Sequence, residues 1–250
     1  MKIMQINVEF GYKLPTLLEM VSKEQPDILC AQEVQNTKEP IPLADNFQTL
    51  DNIKGQGNFE YSFFSPTWGA ELFGTRLEVG NAIFSKLPLL NQQTVFISGQ
   101  YTQSQTAQNW ILNNRNLQIC LVEINDQKLY VANHQGFLIK NSATGGEETS
   151  KFTQKLSDNL APYKDSLIFC TDLNIIRESV GFAPIAELGL RDLTAEHNVK
   201  TTLSPVHRAP NKDSVACDYI FCSNDVKIEN FRVSDEVVSD HKALILEFDI

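Results

Sequence analysis

Long hydrophobic runs are missing from this sequence of 250 residues. None approaches the roughly 18 apolar residues that cross a bilayer. Met1-Lys2-Ile3-Met4-Gln5-Ile6-Asn7 holds one basic side chain, with no long apolar stretch and no small-residue cleavage site after it. It reads as a strand, not a secretion signal, and a cytoplasmic protein is expected. Basic charge is also short: 21 Lys and Arg stand against 31 Asp and Glu, a net charge of −10. That excludes a protein that holds nucleic acid through its overall field, which needs an excess of Lys and Arg. It leaves room for an enzyme acting on nucleic acid briefly, because carboxylates gathered around a metal make a chain acidic while the cation reverses the local sign. Five cysteines cannot all pair within one chain, and none has the CxxC spacing of a zinc ribbon. Cys30, Cys120 and Cys170 sit in apolar runs, and Cys217 and Cys222 flank DYIF. Buried, reduced thiols are expected. There is no repeat, no low-complexity tract and no Pro/Gly/Ser linker, so residues 1–250 are expected to form one domain, acting as a monomer.

What is present is an ordinary globular composition. The hydrophobic set is 42%, and the 12 glycines bring the apolar share to about 47%. Leu14, Leu17, Leu18 and Val21 follow helical spacing, with Pro26 just past the end. Phe152, Leu156 and Leu160, four apart, predict a second helix over Glu147–Leu160. Strands are predicted over Lys2–Val8, Asp27–Gln32, Glu60–Phe64, Asn81–Phe84, Thr94–Ile97, Leu117–Ile124 and Lys128–Asn133. Four more follow at Ser166–Thr171, Asp218–Cys222, Lys227–Val233 and Ala243–Phe248. Short turns such as Asn125-Asp126 favour antiparallel neighbours, and strict alternation of strand and helix is absent after the first fifty residues. The pattern predicts an α/β sandwich: two mixed, mostly antiparallel sheets face to face, with helices outside.

Polar residues with chemical use cluster where these apolar runs stop. Asn7 and Glu9 follow the first, Gln32-Glu33 ends the second, and Asn133-His134 ends KLYVANH. Asp172 and Asn174 follow LIFCT, Asp218 opens DYIF, and Ser239-Asp240-His241 precedes the last strand. A rigid scaffold that ends its strands in charged or amide groups can aim them into one cleft.

In order, the blocks INVEF, DILCAQEV, EVGNAIFSKLPL, YVANHQGF, IFCTDLN, CDYIFCS and VSDHKAL resemble the endonuclease/exonuclease/phosphatase superfamily. The resemblance runs from residue 3 to residue 248; each block is weak alone, and the ordered set is specific. It implies a four-layer α/β sandwich, dependence on Mg²⁺ or Mn²⁺, and hydrolysis of a phosphate ester. The substrate expected first is a phosphodiester in DNA or RNA; a small-molecule or lipid head-group phosphate comes second, and a silent binding module last. By the same resemblance Glu33 is the first metal ligand, Glu9 binds metal directly or through water, and Asp240 is a further metal-side carboxylate. Asn7 matches an amide that touches metal or phosphate. His241 and Asp218 match the family's His–Asp pair. Asp172 and Asn174 match a D-x-N that orients water and contacts phosphoryl oxygens. His134 matches a second histidine that bonds phosphate or helps protonate the leaving group. The residue chemistry agrees, since Mg²⁺ takes oxygen ligands and an imidazole with its tautomer fixed by a carboxylate can take a proton from water.

The sequence departs from the family pattern in four places. Thr171 stands where Gly is common, Leu173 replaces Phe, Val215-Ala216-Cys217 lacks an Arg that is often structural, and His134 is followed by Gln135-Gly136-Phe137 where many relatives have a Leu. None removes an expected ligand or the His–Asp pair. Loops are expected at Lys54–Asn58, Pro66–Val79, Gly99–Arg115, Gly136–Glu148 and Leu203–Ser214, and substrate choice is expected to lie there. Trp68, Phe73 and Trp110 on these loops could stack on bases or close a satellite core, the second being the favoured reading. Arg76, Lys86, Arg115 and Arg208 are open between phosphate contact and solvent. Asn81 belongs beside the site or holds its own loop, and His197 and His207 are expected at the surface.

Overall fold

Residue parity along the strands sets the architecture. In β1 (Lys2–Asn7), Ile3 belongs to one apolar cluster, and Met4 and Ile6 to another, because successive side chains point to opposite faces. The structure is a computed structural model describing residues 1–37, 39, 45–72, 74–104, 114–138 and 146–250. One sheet contains β1, β2 (Ile28–Thr37), β3 (Tyr61–Leu72), β4 (Thr75–Ser85), β6 (Thr102–Ser104), β12 (Lys227–Val233) and β13 (Leu244–Asp249). Its spatial order is β12-β13-β1-β2-β4-β3-β6. The other contains β5 (Leu90–Ser98), β7 (Arg115–Ile124), β8 (Gln127–Gln135), β9 (Leu167–Asp172), β10 (Arg191–Asp192) and β11 (Asp218–Cys222), in the order β10-β11-β9-β8-β7-β5.

Helices α1 (Leu14–Glu24) and α2 (Thr49–Gln56) cover the outer face of the first sheet, packing Leu17, Met20 and Ile53 with Met4, Ile6 and Leu29. Helices α3 (Glu147–Leu160) and α4 (Ala183–Ala186) cover the second, with Leu156 and Ile185 packed with Ile119 and Phe169. The result is the expected four-layer sandwich. A short α5 (Leu193–Glu196) follows β10.

Between the sheets the inward residues change character along each strand. They read Ile3, Gln5, Asn7 on β1; Cys30, Gln32 on β2; Val131, Asn133 on β8; Cys170, Asp172 on β9; and Ile220, Asp218 on β11. β1 runs parallel to β2 and β8 parallel to β9, while β11 is antiparallel to β9. The polar ends therefore gather on one rim, and the apolar ends fill the far half of the layer. All five cysteines are free and buried, as expected, and burial pushes the Cys120 thiol up to about 12.

Pro66–Val79, expected as a loop, is instead most of the β3–β4 hairpin. Its Pro and Gly content hid it. Pro66 falls at a register shift in the pairing, where a missing N–H is tolerated. Gly80 is required there because a Cβ would lie 2.1 Å from the Ser65 carbonyl oxygen. Trp68 is buried with Ala70, Leu77 and Val79, with Phe10 and Phe47 packed against them, which is the satellite core. Phe73 and Trp110 lie outside the described residues. Among the described residues no helix is long and apolar enough to cross a membrane.

Candidate functional site

The rim is shaped first by its backbone. In the β2–β4 pairing Ala31 faces Ala82 and Val34 faces Gly80, so Gln32 and Glu33 together oppose Asn81. This bulge re-aims Glu33, whose φ is +57°. Left-handed backbone also occurs at Glu9 (+46°), Phe10 (+55°) and Asn174 (+57°). A non-glycine residue there costs on the order of 1 kcal/mol, and such strain collects at functional sites. Asn81, opposite the bulge, donates to Asn116 Oδ1 at 2.9 Å, and Asn116 donates to the Ser65 carbonyl at 3.0 Å. These amides tie the two sheets together beneath Glu33.

His241 and Asp218 meet as a pair, with Nδ1 2.8 Å from Asp218 Oδ2. Asp218 is fully buried and His241 nearly so. Thr202 Oγ1 accepts the backbone N–H groups of Cys217 and Asp218, each at 3.1 Å. Its one proton is thereby directed to Asp218 Oδ2 at 2.6 Å. With a carboxylate oxygen as partner, His241 Nδ1 carries the proton and Nε2 is left toward Asp240 Oδ1, 3.9 Å away. Burial alone lowers the His241 pKa, but the charges of Asp218 and Asp172 outweigh it and hold it well above the usual value.

Carboxylates crowd the same rim. Glu9 Oε2 accepts the Asp240 backbone N–H at 3.1 Å. Gln135 donates to Glu33 Oε1 at 2.6 Å. Burial first, then the neighbouring Asp240 charge, raises the pKa of Glu9, and burial raises that of Glu33 against hydrogen bonding from Asn7. Burial pushes Asp172 up to about 7, with Asp218 and Glu33 adding and His241 and Asn7 opposing. Asp172 accepts from Asn7 Nδ2 at 3.1 Å and from the Asn174 backbone N–H at 3.0 Å. Oxygen donors that raise one another's proton affinity in a half-buried cleft suit a hard divalent cation. Among the described residues, two groups have ligand atoms all within 4.8 Å of one another: Asp172, Cys217, Asp218 and His241, and His207, Asp240 and His241. Glu9 and Glu33 stand outside both and join the cluster through charge.

The remaining expected residues are placed unevenly. His134 is buried, but it alternates with inward Asn133 and so turns toward α3, beside Phe137, Phe152 and Leu173. Its Nδ1 lies 2.9 Å from the Asn116 carbonyl oxygen, so Nδ1 donates and Nε2 carries no proton. Burial lowers its pKa to about 4. His207, expected at the surface, instead stacks edge-on to His241, ring centroids 5.7 Å apart, with Nε2 3.8 Å from Asp240 Oδ2. Because its Nδ1 accepts the Ala209 N–H at 3.0 Å, the neutral ring presents Nε2–H to the rim as a donor. His197 is exposed, as expected. Arg115 donates to the Gly136 carbonyl at 2.6 Å and feels the charges of Glu33 and Asp172. Arg76 pairs with Glu78, Lys86 lies near Asp27, and Arg208 is exposed. Thr202, Asn116 and His207 fall in none of the motif blocks, Gln135 sits in YVANHQGF with no role assigned to it, and only the fold brings the four in. Where the usual Arg is missing, Val215 and Cys217 pack with Leu203.

A search of curated protein sequences finds no match. Among solved structures, the human Nocturnin catalytic domain with bound sulfate shares 17% identity at a TM-score of 0.72, covering 100% of this chain and 94% of that one. TDP2 of D. rerio with a single-strand DNA product shares 16% at 0.67, covering 100% and 99%. An endonuclease/exonuclease/phosphatase from Beutenbergia cavernae shares 17% at 0.76, covering 99% and 70%. These likenesses concern the fold. The family model described as Endonuclease/Exonuclease/phosphatase matches residues 4–241, a span that takes in the first inward strand, the bulge and the His–Asp pair, and the chain belongs to that family.

Proposed function

We propose that this chain is a Mg²⁺-dependent phosphoesterase whose preferred substrate is a nucleic-acid phosphodiester. The observation that carries the reading is the buried pair of Asp218 and His241 Nδ1 at 2.8 Å, with Nε2 turned to a rim of oxygen donors. Family members are generally phosphoesterase hydrolases and typically need a divalent metal. Glu33, Asp240, Glu9 and Asn7 would hold the cation. The chemistry it supplies when bound is neutralisation of charge on the phosphoryl oxygens. The side chains do the rest. In the neutral ring that a cation at the rim would favour by offsetting the carboxylate charges, His241 Nε2 takes a proton from the attacking water, and Asp218 offsets the charge that forms. Asp172 holds the amides of Asn7 and Asn174, which orient water and phosphoryl oxygens. Water adds at phosphorus, the bond to the leaving oxygen breaks, the departing alkoxide takes a proton from solvent water and His241 returns its own to solvent, and the products are a phosphate monoester and an alcohol. His134, neutral and without a proton at Nε2, supports Asn116 and does not protonate the leaving group.

The D. rerio relative holding a single-strand DNA product supports the nucleic-acid choice. The net charge of −10 favours small-molecule or lipid head-group phosphates as the second choice. The same reading takes residues 1–250 as one domain working as a cytoplasmic monomer. The test is turnover of bis(p-nitrophenyl) phosphate in EDTA and after Mg²⁺ addition, then a panel of abasic DNA, single strands, RNA, sphingomyelin and inositol phosphates. Mg²⁺-restored turnover with single strands preferred is expected. No turnover on any member with any divalent cation would overturn the enzyme reading, and preference for a lipid or inositol phosphate would install the second choice.

A further inference from the structure

Behind the His–Asp pair lies a row of side-chain amides that the proposed mechanism does not use. Gln5, Gln32, Asn133 and Gln118 are all fully buried between the sheets. Gln118 Nε2 donates to the Phe63 carbonyl at 2.7 Å. Asn133 Nδ2 lies 3.0 Å from the Ala31 carbonyl oxygen, 3.1 Å from that of Ala82 and 3.0 Å from Gln118 Oε1. Gln32 Nε2 donates to Asn133 Oδ1 at 2.7 Å, and Gln5 Nε2 to Gln32 Oε1 at 3.0 Å and Asp218 Oδ1 at 3.2 Å.

The directions in this row are forced. A backbone carbonyl only accepts, so the Phe63, Ala31 and Ala82 oxygens fix which end of Gln118 and Asn133 is the NH₂ group. Asn133 must then offer its oxygen to Gln32, Gln32 its oxygen to Gln5, and Gln5 its NH₂ to Asp218. Both hydrogens of Gln5 are committed, and its Oε1 is left buried with no hydrogen-bond partner among the described residues. A reversed Gln5 would set oxygen against carboxylate oxygen in a dry interior.

We infer that Gln5 is a positioning residue for the His–Asp pair, its donor held toward Asp218 Oδ1 by the amide row anchored on three backbone carbonyls. With Oδ1 fixed by Gln5 and Oδ2 shared by Thr202 and His241, the carboxylate plane cannot rotate away from the imidazole. This rests on the proposed function for its kinetic reading, and on hydrogen-bond direction alone for its structural one.

The experiment compares wild type, Gln5→Met, and Val122→Ala as a control cavity between the sheets, away from the rim. Gln5→Met is expected to lower kcat by about ten-fold or more, the scale of one hydrogen bond to a charged group, with KM and Mg²⁺ affinity near wild type. The His241 Nδ1–H proton resonance should shift in Gln5→Met and stay in place in Val122→Ala. A wild-type kcat in Gln5→Met, or the same loss in Val122→Ala, overturns the inference. If Gln5→Met does not fold, neutron diffraction of wild type decides: amide hydrogens on Asp218 Oδ1 support it, and Oε1 facing Asp218 overturns it. Wild type inactive on every phosphodiester would sink the proposed function, while the resonance and neutron results would still judge Gln5.

Discussion

Gly136 sits where β8 and β9 deliver their ends to the rim, and adding one methyl group there tests the geometry. Its N–H donates to the Asp172 carbonyl at 2.6 Å, and its carbonyl accepts from Arg115 at 2.6 Å. A Cβ would lie 2.2 Å from the Leu173 carbonyl oxygen, 2.5 Å from its carbon and 2.8 Å from its Cα, where ordinary contact starts at 3.4 Å. All three are backbone atoms of the residue between Asp172 and Asn174. The strands must part by about 1.2 Å, the difference between 2.2 and 3.4 Å. Misplacement of about 1 Å in a catalytic array can cost about 100-fold in rate. Overpacking of this kind costs about 1–3 kcal/mol, a fall in Tm of about 2–12 °C for a chain this long. Gly136→Ala should thus lose far more kcat/KM on bis(p-nitrophenyl) phosphate at saturating Mg²⁺ than its melting curve explains. Gly146→Ala, whose Cβ meets nothing within 4 Å, is the control. Activity within two-fold of wild type, together with an unchanged Tm, would show that β8 and β9 open without moving Asp172 and Asn174.

Three further outcomes are expected. His241→Ala and Asp218→Asn should each lower kcat by about two to four powers of ten, and the double variant should lose little more than either; losses that multiply would mean the two act separately. Glu33→Gln should weaken Mg²⁺ binding and turnover together; calorimetry with unchanged Mg²⁺ affinity would remove Glu33 from the ligand set. His134, at about 4 when folded and near 6.5 when unfolded, makes the unfolded chain bind the extra proton between those values. Stability should therefore fall as pH drops through that window, by up to about 3 kcal/mol. His134→Gln should flatten that part of the urea-midpoint profile, and an unchanged profile would exonerate His134.

The legible parts were those where one strand carries its own signal. DYIFC and KIENFRV occupy the strands predicted for them, and Glu147–Leu160 is the predicted helix to the residue. Asn7, Glu9, Glu33, Asp172, Asn174, Asp218, Asp240 and His241 do share one rim. Two kinds of information were hidden. β3 and β4 continue through Pro66 and Gly80 because bulges absorb both, which periodicity cannot show. Thr202, Asn116, Gln135 and Gln5 look like ordinary polar residues, and their roles arise from partners 16 to 213 residues away. His207 lacked any motif; the isolated bridge of Leu203 to His241 brings its loop onto the rim.

The pairing of β1 with both β2 and β13 has a consequence for synthesis. Asn7 and Ser239 are joined by a hydrogen bond across 232 residues. At about 5–20 residues per second, on the order of 10–50 s pass between their emergence from the ribosome. Throughout that interval β1 has an open edge facing the place β13 will take, a row of unpaired N–H and C=O groups able to recruit the wrong strand. A nascent chain that has not yet released His241 contains the bulge and nearly all of the rim carboxylates but lacks the proton acceptor of the proposed function. On the proposed function, hydrolytic competence should therefore appear only once Asp240 and His241 have emerged, and the long wait leaves the β1 edge exposed to wrong pairing in the meantime.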